Sequence, residues 1–275
     1  MAIKWFKKFF KKQEIGIEKV TFIGAGNVAW HLSQALESIG LIVAEVYSRD
    51  LGHAQKLCKK LYDAAPVNSL DFSSSEAELF VIAIPDDAIA EVASSLLLPP
   101  NTTLVHTSGA MAIDLLVPYA TKFGVFYPLQ TFSANQKINF KHIPLCLEAS
   151  DAETLALMER IAKRLSENVA KVSSAQRKVI HLAAVFACNF TNHLLAISEQ
   201  ILKVNGQDLE LLKPLVAAML EKALKNGPAG SQTGPAIRGD QETINEHLTL
   251  LKNNAPYSKL YMLITRSIID FYEDD

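Results

Sequence analysis

A glycine-containing turn between a short apolar run and a helical pattern is the feature that most constrains how this chain can fold. Residues 19–23 (KVTFI) are rich in β-branched and aromatic side chains, which favours a strand. Residues 24–29 (GAGNVA) follow at once, and apolar residues then recur at helical spacing until Gly40. The segment is therefore predicted to form a strand, a G-x-G-x-x-A turn and a helix.

This turn has the chemistry of a site for the pyrophosphate of a dinucleotide. Gly24 permits a tight turn, Gly26 lets the backbone approach a phosphate, and Ala29 lets the helix lie close to the strand. The N–H groups of the first helical turn, at the positive end of the helix dipole, favour a bound anion. An ordinary glycine turn is the alternative, and the strand and helix on either side argue against it.

The end of the second predicted strand indicates which coenzyme would bind. Residues 41–47 form that strand, and Ser48 and Arg49 follow it. Sites for NAD usually carry an acid here, whereas a guanidinium pairs with a 2′-phosphate. We therefore predict NADP, the alternative being that Arg49 is a solvated surface residue. Asp50 is predicted to cap a helix over residues 51–62.

Further strand and helix patterns follow, and they predict a doubly wound, parallel sheet of the Rossmann type. In such sheets ligands bind beyond the carboxyl ends of the strands. The polar groups at those ends include Asp86, Ser108, Tyr127 and Gln130, although each could instead cap a helix or turn the chain. The predicted coenzyme-binding residues are Gly24, Ala25, Gly26, Asn27, Val28, Ala29, Ser48, Arg49, Ile84, Pro85, Asp86, His106 and Ser108.

The second half of the chain reads as helical. After a helix over 151–167 and an edge strand or linker over 168–172, a long helix is predicted to run to about Val204. Its polar residues fall in a sector roughly 120° wide, amid apolar ones. Buried amides and imidazoles need partners, and either a ligand or a polar network between helices would supply them. That sector contains Arg177, Lys178, His181, Cys188, Asn189, Asn192 and Glu199.

A loop over residues 227–240 separates predicted helices over 208–226 and 241–254, and a last helix is predicted over 256–272. It contains four glycines and two prolines, which excludes a continuous helix. Arg238 on this loop could clamp a carboxylate or phosphate. The alternative is that the loop only joins helices and that Arg238 pairs with a surface acid.

Composition excludes several classes of protein. The net charge of −2 argues against binding of nucleic acid through bulk electrostatics. The three cysteines form no C-x-x-C pair, and the seven histidines lack acids at ligand spacing, so no metal site is predicted. A reducing compartment, the cytoplasm, is expected. Residues 1–12 differ from the rest of the chain because they contain five lysines and four aromatic residues. This pattern is typical of an amphipathic helix that lies on a membrane surface, and a helix packed on a partner is the alternative.

Several motifs together resemble a known family, the Rossmann-like proteins that carry a domain of unknown function 2520. They are related to pyrroline-5-carboxylate reductase and 6-phosphogluconate dehydrogenase. The resemblance implies an NADP-binding domain and a helical, dimerising domain, with the superfamily's catalytic lysine near Lys178. Tyr127 departs from the pattern because many relatives carry histidine there, which weakens the case for catalysis by it. The matching segments are residues 20–29, 106–109 (HTSG), 127–132 (YPLQTF), 181–186 (HLAAVF) with Asn189, and 233–240 (TGPAIRGD).

The sequence therefore predicts a basic extension over 1–18, an NADP-binding domain over 19–150 and a helical substrate and dimerisation domain of the 6-phosphogluconate-dehydrogenase type over 151–275. The expected function is NADP-dependent hydride transfer to a small carbonyl or imine that carries a carboxylate. A non-catalytic sensor or scaffold that binds NADP(H) is the alternative. The predicted catalytic residues are His181, Lys178, Asn189, Asn192, Arg238 and Asp240.

Overall fold

The structure is a computed structural model that describes residues 15–273. The chain divides into two compact units that meet between Cys188 and Asn189. The sequence placed this boundary between residues 150 and 151. The difference arises because the helix that follows the sheet begins with side chains buried against that sheet, and it therefore belongs to the first unit.

The strands of the described residues form one eight-stranded sheet in the order β3-β2-β1-β4-β5-β6-β7-β8. Neighbouring strands are parallel, except that β6 and β7 run antiparallel. The strand order reverses between β1 and β4, which opens a crevice at their carboxyl ends. The strands are β1 (Lys19–Ile23), β2 (Ile42–Tyr47), β3 (Ala65–Val67), β4 (Leu79–Ile82), β5 (Thr103–His106), β6 (Lys122–Pro128), β7 (Leu145–Ala149) and β8 (Val169–Lys171).

The helices of the first unit connect these strands, and three of them begin with side-chain caps, of which Asp50 is the predicted one. The Asp50 carboxylate accepts from the N–H of Gly52, and the Asp151 carboxylate accepts from the N–H of Thr154. Ser173 forms a reciprocal capping box with Gln176. The helices are α1 (Asn27–Ser38), α2 (Leu51–Cys58), α3 (Ile89–Ser95), α4 (Ala152–Leu165) and α5 (Ser174–Ala184), with short 3-10 turns at Asp86–Ala88, Ile113–Leu116 and Phe140–His142.

Two apolar layers cover the faces of the sheet, since alternate strand residues point to opposite sides. Along β1, Phe22 packs in the layer with α1, whereas Ile23 packs in the layer on the other face. Ile15 and Ile17 are also buried in the first layer, so the chain joins this unit earlier than residue 19. The amphipathic pattern of residues 1–12 lies outside the described residues.

The second unit consists of helices, as the sequence predicted. A π-helical turn, Val185–Phe190, continues α5 and crosses the boundary between the units. The helices that follow are α6 (Thr191–Val204), α7 (Lys213–Asn226), α8 (Gln241–Leu250) and α9 (Ala255–Glu273).

The helical run Ser174–Val204 is also long and apolar enough to cross a membrane, by length and composition. Its first turn carries Arg177, whose side chain is fully buried against Glu148 of β7. An ion pair to the sheet anchors this end of the run inside the first unit. Length and composition alone are weak evidence for a membrane span, because helices of other kinds pass the same test.

Candidate active site

The turn after β1 has a geometry that only glycine adopts without strain. Gly24 has φ +119°, and its N–H donates to the carbonyl of Tyr47 at 2.9 Å. A Cβ at this position would lie 2.2 Å from the carbonyl oxygen of Ala83. Gly24 thus allows the ends of β1, β2 and β4 to meet closely.

The start of α1 is suited to hold an anion. Gly26 is its N-cap and supplies no side-chain hydrogen bond, and its first turn contains no acidic residue. A Cβ on Gly26 would meet no described atom within 4 Å, so the backbone there borders open space. These amides fit a pyrophosphate. Ala29 plays a different part, since it is fully buried in the core behind the turn.

A cavity of about 700 Å³ runs along this edge of the sheet, and its described walls belong to the first unit. It brings together most of the residues predicted from the sequence to bind coenzyme. The predicted residues in its walls are Gly24, Ala25, Gly26, Asn27, Val28, Ser48, Arg49, Ile84, Pro85, Asp86 and Ser108, together with His181.

One part of the cavity wall is basic. Arg49 lies there beside Ser48, and His53 and Lys56 of α2 join them. His53 and Lys56 were not predicted from the sequence, although their spacing of three residues places them on one face of the helix. Several cations in one wall suit a phosphate monoester better than a ribose hydroxyl.

A second part of the wall, at the carboxyl ends of β5 and β6, consists of Ser108, Gly109, Tyr127 and His181. The Ser108 hydroxyl oxygen accepts from the N–H groups of Ala110 and Met111, at 3.1 and 3.0 Å. These bonds shape the turn after β5 and leave the hydroxyl hydrogen able to donate.

Tyr127 and His181 form a hydrogen-bonded pair in this wall. The Tyr127 hydroxyl lies 3.1 Å from Nδ1 of His181, and the rings meet edge to face with centroids 6.1 Å apart. Burial raises the pKa of Tyr127 to about 12, with smaller contributions from Cys146 and Asp86. The phenol is therefore protonated at neutral pH.

His106 lies beneath the site rather than in its wall, which corrects its predicted role in contacting coenzyme. The ring is fully buried, and its Nδ1 accepts from the N–H of Ser108 at 3.2 Å. Burial, with a further contribution from Arg177, lowers the pKa of His106 to about 4. Its Nε2 meets no hydrogen-bond partner among the described residues. A neutral imidazole thus supports the Ser108 turn from below.

A buried ion pair fixes the start of α5 under the same turn. The Arg177 guanidinium donates to the Glu148 carboxylate and to the carbonyl of Met111, and Ser174 also donates to Glu148. Burial opposes ionisation of Glu148, but the bonds from Arg177 and Ser174 outweigh it and lower its pKa. Arg177 thus belongs to a polar network, although its partners lie on a strand and a turn and not on another helix. Lys178, the next residue, is exposed and is not among the residues of the cavity wall.

The remaining predicted catalytic residues belong to the second unit. Asn189 and Asn192 are exposed there. Arg238 is exposed and lies 3.7 Å from the Asp240 carboxylate. Asp240 caps α8 by accepting from the N–H and hydroxyl of Thr243, which lowers its pKa. Asp240 therefore has a structural task, the capping of this helix.

Among residues 15–273, no group of three or more histidine, cysteine, aspartate or glutamate side chains could hold a metal ion.

Comparison with known proteins agrees with this architecture. Residues 12–130 match the model of a Rossmann-like domain, and residues 143–268 match the domain of unknown function 2520. No curated protein matched the sequence.

Solved structures share the fold over nearly the whole chain. A Bacteroides fragilis protein described as a candidate NADP oxidoreductase is 36% identical, with a TM-score of 0.87, and the match covers 93% of this chain and 99% of that one. A Thermotoga maritima protein is 25% identical, with a TM-score of 0.72 and coverage of 91% and 99%. A reductive aminase from Aspergillus terreus, solved with NADPH, is 15% identical with a TM-score of 0.68 and coverage of 93% and 99%, which shows the fold alone.

The fold and the turn after β1 define a Rossmann-type protein with a helical second unit. Within that class, the chain belongs to the family of Rossmann-like proteins that carry the domain of unknown function 2520.

Proposed function

We propose that this protein is an NADP-dependent oxidoreductase that reduces a carbonyl or imine. One observation carries the proposal. A single cavity joins an anion-binding glycine turn, a basic wall with Arg49, and a proton-donating wall with His181. The description of the Bacteroides fragilis relative as a candidate NADP oxidoreductase supports it.

Different residues of the first unit would hold different parts of the coenzyme. The backbone of Gly24 to Val28 would hold the pyrophosphate, and Arg49 with Ser48 would hold the 2′-phosphate. Ile84, Pro85 and Asp86 follow β4 and would border the nicotinamide half, because they lie across the strand-order reversal from Arg49. NADPH, when bound, supplies the hydride.

We propose that His181 takes part in the transfer of the proton to the substrate. It lies in the cavity wall, and the two ring nitrogens of an imidazole can donate or accept a proton. Lys178 is a weaker candidate because it is exposed outside that wall. Asn189 and Asn192 remain our candidates to orient the substrate or the carboxamide of the coenzyme, and Arg238 our candidate to hold a carboxylate. All three side chains are exposed.

The test is consumption of NADPH in the presence of keto acids and cyclic imines. We expect oxidation of NADPH with at least one substrate class, and His181→Ala should lower the rate without abolishing NADPH binding. If the protein bound NADPH but reduced none of the keto acids or imines, the result would favour the alternative function, a non-catalytic sensor or scaffold. A protein that binds neither NADPH nor NADP⁺ would refute both functions.

We further propose that the second unit forms a homodimer. Large apolar side chains are more than a third exposed there, which is an unusual surface for a monomer. They include Leu211, Leu215, Met219, Leu220, Leu224, Leu250, Leu263 and Phe271.

We also propose a cytoplasmic location, which fits the three cysteines because all of them are free thiols.

A further inference from the structure

The hydroxyl of Tyr127 is in a position to do more than line the cavity. It lies in the wall beside Ser108 and is hydrogen-bonded to the ring of His181, although the two residues are 54 positions apart in the chain. Tyr127 is the last residue but one of β6, and His181 lies in the second turn of α5. Separate elements thus bring a phenol and an imidazole together at the same wall of the cavity.

Gly109 is the residue that leaves room for this pair. A Cβ on Gly109 would lie 2.6 Å from Nδ1 of His181 and 2.8 Å from Cζ of Tyr127. Any larger residue would push into the two rings where they meet. The residue after Ser108 therefore has to be glycine for the pair to form in this geometry.

The start of α5 is held so that His181 stays in reach of Tyr127. One turn before His181, the fully buried Arg177 bonds to Glu148 of β7 and to the carbonyl of Met111. Ser174 accepts from the N–H of Ile113 at 3.0 Å, which ties α5 to the same turn. The segment that carries Gly109 and the helix that carries His181 are thus fixed to each other.

We propose that Tyr127 is the proton donor of the reaction and that His181 resupplies its proton. This inference rests on the proposed function and names the acid of that reaction. As the substrate double bond is reduced, the O–H bond of Tyr127 breaks and its proton bonds to the carbonyl oxygen or imine nitrogen. The tyrosine oxygen then takes the proton from Nδ1 of a protonated His181, which becomes neutral and recovers a proton from water.

The chemistry of each partner suits its part. Burial keeps Tyr127 a phenol at neutral pH, and Cys146, Asp86 and Arg177 are the titratable or charged groups that act on it. A phenol this weakly acidic needs a neighbour that returns its proton quickly, and the imidazole within hydrogen-bond distance does so. This role for Tyr127 revises the weak case for it that the sequence resemblance gave.

The direct test observes the pair in the full-length protein without coenzyme. Imidazole ¹⁵N NMR of the wild type reports the protonation of Nδ1 and Nε2 of His181, assigned by its loss in His181→Asn. We expect Tyr127→Phe and Gly109→Ala to shift these resonances and their titration midpoint. Tyr62→Phe is the control, because Tyr62 is exposed and lies outside the cavity walls. Unchanged His181 resonances in Tyr127→Phe would overturn the proposal, whatever the state of turnover.

Turnover and coenzyme binding separate this inference from the proposed function. With a substrate found in the keto-acid and imine panel, Tyr127→Phe should lower kcat about 100-fold, since general acids contribute ~10²–10⁴-fold. Its KM and its affinity for NADPH should change less than threefold. A Tyr127→Phe enzyme with wild-type kcat would overturn the role of Tyr127 while the oxidoreductase function stood. If the wild type did not bind NADPH at all, the proposed function itself would be refuted.

Discussion

At the residue scale, the choice of coenzyme depends on the side chain that follows β2. Arg49 stands where an NAD site would carry an acid, and His53 and Lys56 extend the same basic wall. Asp50, the next residue, accepts from the N–H of Gly52 at the start of α2. The Asp50 carboxylate thus caps the helix α2, and we do not assign it to a ribose hydroxyl.

Substitution of Arg49 should weaken binding of NADPH and spare that of NADH. A hydrogen bond to a charged group contributes ~1.5–3 kcal/mol, so Arg49→Ala should raise the Kd for NADPH on the order of 10- to 100-fold. Calorimetric titration measures both coenzymes, and Lys59→Ala is the control because Lys59 is exposed outside the cavity. An equal loss for NADPH and NADH would show that Arg49 does not read the 2′-phosphate.

The buried His106 should make the free energy of unfolding depend on pH. In the folded state its pKa is about 4, whereas an unfolded histidine titrates near ~6.5. Between these values the unfolded chain binds more protons, so stability should fall as the pH falls from about 6.5 to about 4. The loss should be about 3 kcal/mol, since each tenfold change in proton affinity is worth ~1.4 kcal/mol.

Urea unfolding across this pH range checks the His106 prediction. We expect His106→Gln to flatten the pH dependence, while His193→Gln, at an exposed position, should leave it as in the wild type. Identical slopes in the wild type and in His106→Gln would show that His106 is not held neutral.

At the element scale, α5 is anchored to the sheet by one buried ion pair. Arg177 is fully buried and Glu148 largely so, and the pair joins α5 to β7. Removal of one partner from such a pair leaves the other charge buried without compensation.

Arg177→Met should therefore lower the free energy of unfolding by ~3–5 kcal/mol. Lys122→Ala, which breaks a more exposed pair with Glu153, should cost only ~0–1 kcal/mol. Chemical denaturation measures both losses. If Arg177→Met cost no more than Lys122→Ala, the anchoring of α5 by this pair would be refuted.

The elements also show what the sequence could predict and what it could not. The strands β1 and β2, the turn over 24–29 and the cap of α2 are encoded within a few neighbouring residues, and the structure confirms them. The three-residue strand β3 is too short to show periodicity, and the sequence analysis did not predict it. The pairs Arg177–Glu148 and Tyr127–His181 join residues 29 and 54 positions apart, which local patterns do not report.

At the scale of the whole molecule, the second unit has little core of its own. Within the described structure, α7 buries none of its side chains, although it carries Leu215, Met219 and Leu224. Apolar surface of this kind gains free energy when a second copy covers it, at roughly 25 cal/mol per Å² of area removed from water.

Sedimentation should therefore show the wild type as a dimer of the 30.2 kDa chain. The double variant Leu215→Asp, Leu224→Asp should sediment as a monomer, because a carboxylate is costly to bury in an apolar interface. Leu97→Asp, at an exposed apolar position of the first unit, is the matched control and should remain dimeric. A wild type that stays monomeric at all concentrations would refute this assembly.

The central claim is that a phosphorylated nicotinamide coenzyme binds over the turn from Gly24 to Ala29. Calorimetric titration of the folded, full-length protein with NADPH and with NADH tests it most directly. We predict one NADPH per chain, bound at least about tenfold more tightly than NADH, as one charge-assisted contact to the 2′-phosphate implies. The absence of binding heat with both coenzymes, on protein shown to be folded, would contradict the account.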